Sequence, residues 1–106
     1  MSRQKGNIAE ERATAFLKER GFFIMERNYH SRFGEIDIIA KKGDVLHFIE
    51  VKSGMGDPVY KITPSKLSKI IKTATIYMQK KHLDMDYCFD ALIVTEDIEM
   101  IANITL

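Results

Sequence analysis

The chain has 106 residues, 45% of them hydrophobic and 29% charged, and a formal net charge of +1. That size and balance suit one globular core and exclude a disordered or disulfide-dense chain. Cys88 is the only cysteine, so no intrachain disulfide can form, which fits a reducing compartment. No apolar run approaches the roughly 18 residues that span a bilayer, and the opening MSRQKGNIAEE lacks the apolar segment of a signal peptide. The expectation is one domain over residues 1–106, cytoplasmic and without a membrane partner.

The stretch GNIAEERATAFLKERG reads as a helix closed by Gly21. Ala9, Ala13, Phe16 and Leu17 recur at helical spacing and form one apolar stripe. At about 100° per residue, Glu10 flanks that stripe and can look into the fold, whereas Glu11 faces solvent. FFIMERNY follows as a strand, and HSRFG connects it to EIDIIA and VLHFIEVK, which both alternate. The short KKGD between them makes the pair an antiparallel hairpin. SGMGDPVYKI is rich in turn residues and reads as a loop.

The next helix is TPSKLSKIIKTATIYMQKKH, with Thr63 as N-cap and Pro64 at the first helical position. Leu67, Ile70, Ile71, Ala74, Tyr77 and Met78 make its buried stripe, with Lys66, Lys69, Lys72 and Lys80 mostly on the other side. Lys61 to His82 carries six lysines and no acid. This local basic face hints at a polyanion, although a solvated helix face has the same pattern. YCFDALIV and EMIANITL are two further strands. The order predicts an α/β fold, a mixed central β-sheet flanked by helices.

The hairpin carries the chemistry. Centring its turn on Lys42–Gly43 sets Glu35 opposite Glu50 and Asp37 opposite Phe48, with Asp37 and Glu50 as diagonal neighbours. Side chains alternate faces, so Glu35, Asp37, Glu50 and Lys52 point the same way. Two carboxylates about 4 Å apart repel by roughly 4 kcal/mol at an effective dielectric near 20. The residues leave three ways of relieving this: a solvated face with splayed acids, neutralisation by Lys52, or a divalent cation among the oxygens. Hard carboxylate oxygens suit Mg²⁺, and such a metal can activate a phosphodiester and a water. A lysine on the same face could position or deprotonate that water.

These segments resemble the YraN family, UPF0102. GEIDIIA followed by FIEVK is similar to its paired GEID and E-V-K segments, GNIAEERA to its first helix, ERNYHSRFGEID to its R-N-[YW] run, ITPSKLSKI to its second-helix start, and FDALIV to its F-D-V strand. The resemblance covers nearly the whole chain and implies a restriction-endonuclease-like fold with a PD-(D/E)xK site. Asp37 and Glu50 would then bind metal, Lys52 would be the catalytic lysine, and Glu10 would complete the site from the first helix. Glu35 matches the motif without an assigned role. The chain departs from the family pattern at Ser53–Gly54, where the family continues with Thr-Arg, and at Cys88, where arginine is common. Both departures remove positive charge near a phosphate.

The resulting expectation is a Mg²⁺- or Mn²⁺-dependent endonuclease-like protein hydrolysing DNA, with branched or damaged forms in view and Lys66 and Lys69 against the backbone. The alternatives are a non-catalytic nucleic-acid-binding module and a protein-interaction domain that kept the fold. His30, His47 and His82 lack metal-ligand spacing. His47, on the face opposite Glu50, reads as structural, and Cys88 as a core residue. Ile76 and one ring of Phe22–Phe23 are candidate contacts of a homodimer.

Overall fold

The computed structural model describes residues 2–54 and 62–105, and of residues 2–7 the backbone alone. Helix α1 (Ser2–Glu19) precedes strands β1 (Phe23–Ser31), β2 (Gly34–Lys42) and β3 (Val45–Ser53), then come α2 (Pro64–Lys80), β4 (Asp86–Val94) and β5 (Ile98–Ile101). The sheet has the order β1-β2-β3-β4-β5. All neighbours are antiparallel except β3 and β4, which run parallel. A parallel pair needs a long crossover, and α2 lies within it. The expected α/β fold with a mixed sheet and flanking helices is what forms. Most of the expected loop before α2 lies outside the described residues.

The two faces of the sheet hold separate cores. On one, Ala9, Ala13 and Leu17 of α1 pack on Ile38, Ala40, Ile49, Leu92 and Val94. On the other, Ile70, Ala74 and Tyr77 of α2 pack on Ile39, Leu46, Phe48 and Phe89. The α1 stripe is thus the one its periodicity predicts. Helix α1 is closed by Gly21, two residues beyond its last turn, whose φ of 86° suits a residue without a Cβ. There, Gly21 N–H donates to Lys18 O and Phe22 N–H to Leu17 O. In α2, Thr63 caps as expected, its hydroxyl accepting from Lys66 N–H at 3.1 Å. Ile71 departs from the expected stripe: it is exposed, and Thr73 is buried in its place. The Thr73 hydroxyl donates to Lys69 O and meets Ser31 Oγ, so its polarity is satisfied inside.

The hairpin register differs from the expectation by two residues. Lys42 pairs with Val45, so the turn is Gly43–Asp44, and Ile39, not Asp37, lies opposite Phe48. Gly43 has φ 59° while Asp44 stays at negative φ, the pattern of a II′ turn with glycine first. A slip of two preserves the faces, because alternation has period two. The same slip sets Asp37 level with Glu50 rather than diagonal to it.

Regular alternation breaks at Asp37. Ile38 packs under α1, yet Ile36 joins the core under α2. The neighbouring strand turns over at the same level. Arg27 reaches acids of α1, Tyr29 packs edge-on against Tyr77 of α2, and Asn28 between them has φ 54°. The described β2–β3 pairing stops at Ile38–Ile49, one step before the acids.

Candidate functional site

Beyond Ile38–Ile49, side chains take over the hydrogen bonds of the ladder. Val51 N–H donates to Asp37 Oδ2 at 2.8 Å, and Asp37 N–H donates to Glu50 Oε1 at 3.4 Å. Each carboxylate is fastened by one oxygen to a backbone amide, which fixes its direction. Asp37 and Glu50 open into a groove of about 460 Å³ between the sheet and the start of α2, also lined by Glu35, Thr63, Lys66 and Lys69. Glu50 is only 3% exposed.

Two acids buried side by side resist ionisation. Burial, reinforced by the neighbouring Asp37 charge, pushes the Glu50 carboxyl up to about 7. Burial likewise raises Asp37, with Glu35 adding repulsion and the Val51 amide opposing it. Lys66 Nζ sits 3.6 Å from Glu50 Oε2. Partial burial works against the Lys66 charge, but its polar neighbours, Glu50 and Asp37 among them, outweigh burial and raise it. Lys52 shares the face of the acids and goes the other way: burial, then the adjacent Lys66, bring it down to about 8. The site therefore holds two carboxylates that are reluctant to ionise and a lysine that is ready to lose its proton.

Of the residues singled out in the sequence, the structure brings Asp37, Glu50, Lys52 and Lys66 together. Lys69 lines the same groove. Glu35 sits at its mouth, with Oε1 3.6 Å from His30 Nε2. The described contacts of Glu10 lead elsewhere. It is the inward-facing acid, with a side chain 15% exposed against 69% for Glu11. Its Oε1, however, lies 3.7 Å from Arg27 and forms no hydrogen bond. Arg27 also holds Glu11 Oε1 at 2.6 Å. Arg27 is not among the residues the sequence singles out, and the signal for it is its place in the R-N-Y run upstream of GEID.

The donor set fits a hard divalent cation. Asp37 and Glu50 present oxygens only, and each keeps one oxygen outside the backbone bonds just described. No described helix is long and apolar enough to cross a membrane.

The fold and groove can now be set beside known proteins. The chain is 56% identical over 109 residues to a UPF0102 protein of Sulfurimonas denitrificans, with both chains covered in full. It is 58% identical over 105 residues to one from Helicobacter pylori strain P12, covering 97% of this chain and 92% of that one. A UPF0102 protein of Wolinella succinogenes is 54% identical over 108 residues, again covering both chains fully. The model of the family described as "Uncharacterised protein family UPF0102" matches residues 9–94, a span that runs from α1 through the groove to the end of β4, and the chain belongs to that family.

Proposed function

We propose that this protein is a metal-dependent nuclease hydrolysing DNA phosphodiester bonds. The observation that carries the reading is the pairing of Asp37 and Glu50 at the point where the β2–β3 ladder stops, with Lys52 on the same face. A restriction-endonuclease-like assignment is consistent with the order of elements and with that hairpin. Asp37 and Glu50 would hold Mg²⁺ or Mn²⁺, which when bound polarises the phosphodiester and acidifies water. Lys52, brought down to about 8, has a neutral fraction at slightly alkaline pH and can take a proton from the attacking water. Lys66 and Lys69 would pair with phosphate oxygens along the groove. Glu10 would act at most through Arg27.

The test is cleavage of duplex, single-stranded and branched DNA with Mg²⁺ or Mn²⁺, wild type against Lys52→Ala. Metal-dependent cleavage that Lys52→Ala lowers by at least a hundredfold supports the reading. Equal cleavage by the variant removes the mechanism. One observation favours a non-catalytic nucleic-acid-binding module: Lys66 already supplies a cation beside Glu50. Binding that falls steeply with salt, needs no divalent ion and gives no product would select that alternative.

A further inference from the structure

The α1 side of the sheet carries a second cluster, away from the groove. His47 of β3 and Cys88 of β4 are register partners in the parallel pair. Asp90, two residues further along β4, projects to the same side. His47 Nδ1 lies 2.6 Å from Asp90 Oδ2 and 3.1 Å from Cys88 Sγ, and Sγ lies 3.6 Å from Oδ2. An imidazole nitrogen, a thiol sulfur and a carboxylate oxygen thus converge, all within 4.8 Å of one another. We propose that His47, Cys88 and Asp90 form a binding site for Zn²⁺ or a similar thiophilic first-row cation.

The way the atoms converge separates this reading from a catalytic relay. A nucleophilic Cys-His-Asp arrangement needs the sulfur on one ring nitrogen and the carboxylate on the other. Here both approach Nδ1. Without a cation, Nδ1 pairs with Asp90 Oδ2 and the thiol turns its own proton to the same oxygen; a cation between the three would replace both contacts. Tetrahedral zinc, with bonds of about 2.0–2.3 Å, sets its ligand atoms roughly 3.3–3.6 Å apart, so the observed triangle needs to open by less than about 1 Å.

The surroundings orient two of the three groups. Asp90 is 1% exposed, and a carboxylate buried so deeply calls for a positive partner. Its Oδ1 accepts Asn103 N–H at 2.9 Å, which orients the group with Oδ2 turned toward His47 and Cys88. The Phe22 ring stands edge-on to His47 with centroids 5.0 Å apart and limits rotation of the imidazole. Sulfur and imidazole select a borderline metal over Mg²⁺, the reverse of the oxygen-only groove. On binding, the thiol proton passes to solvent and a sulfur–metal bond forms. The metal would fasten β3 to β4 and, through Asp90, to the segment after β5.

The experiment is a Co²⁺ titration of the full chain in a non-thiol reductant, read by thiolate-to-cobalt charge-transfer absorption. The band should saturate at one equivalent, vanish in Cys88→Ser and persist in Asp37→Asn, which alters only the groove. Failure of the groove to bind metal would leave this result untouched. A second measurement uses the wild type alone: one equivalent of Zn²⁺ should slow alkylation of Cys88 by iodoacetamide at least tenfold, and Mg²⁺ should not. A cobalt spectrum without a thiolate band, a band that survives Cys88→Ser, or alkylation indifferent to Zn²⁺ would each overturn the proposal.

Discussion

Replacing Glu50 with glutamine should stabilise the protein at alkaline pH and do little at acid pH. An acid whose pKa is higher in the folded chain binds its proton more tightly there than when unfolded. Its destabilising effect is small below the unfolded value, grows as pH rises, and is complete above the folded value. For Glu50 those limits are 4.5 and about 7. Integrated between pH 5 and pH 8, the shift amounts to about 2–3 kcal/mol. Because Glu50 is 3% exposed, solvent screening takes little from this figure. The Lys66 contact is already contained in it, since Lys66 is one of the groups pulling the value down. Glutamine keeps an oxygen for Asp37 N–H and cannot ionise. The gap in stability, Glu50→Gln minus wild type, should therefore widen by about 2–3 kcal/mol from pH 5 to pH 8, or roughly 10–20 °C in Tm. Urea denaturation at both pH values, without divalent cations, measures it. A gap that stays constant, or narrows toward pH 8, would refute the account of a carboxylate held against its preference. Millimolar Mg²⁺ at pH 8 should close part of the gap by stabilising the wild type alone.

Two further outcomes follow from neighbouring contacts. Lys66→Met removes a charge that holds Lys52 down. The Lys52 titration, followed by nuclear magnetic resonance of its side chain, should move upward from about 8; no movement or a downward one would contradict the pairing of the two lysines. Leu17→Ala empties a fully buried position between α1 and the sheet and should cost about 2–5 kcal/mol in chemical denaturation.

The local chemistry of this chain was legible, and its long-range pairing was not. Thr63, Pro64 and Gly21 marked helix ends because caps act over three or four residues. Alternation survives a shift of two, so the sequence places Asp37, Glu50 and Lys52 on one face even with the turn centred on Lys42–Gly43. KKGD admits either Lys42–Gly43 or Gly43–Asp44 as its centre, and the observed pairing of Lys42 with Val45 and the positive φ of Gly43 decide for the second. Spacing alone places Ile71 in the core, but the sheet under α2 accepts Thr73 there, with Ser31 as its partner. The meeting of His47 with Cys88 and Asp90 depends on β3 and β4 lying parallel and in register, partners separated by forty intervening residues. No short-range pattern encodes that.

The stretch where carboxylates replace ladder bonds has a consequence for how this family is interpreted. The amides of Asp37 and Val51 hang from acid side chains, so those acids are part of the seam of the hairpin as well as of its chemistry. Alanine at either position would strip an acceptor from a half-buried amide and loosen the fold, so a loss of activity would have two causes at once. Asparagine or glutamine leaves the seam closed and isolates the charge. The same reasoning applies to descent: a relative without nuclease activity would still need an acceptor at both positions to keep its strands joined. Retention of the two acids is therefore weak testimony to catalysis, and the lysine beside them, which fastens no described backbone group, is the more informative residue to follow.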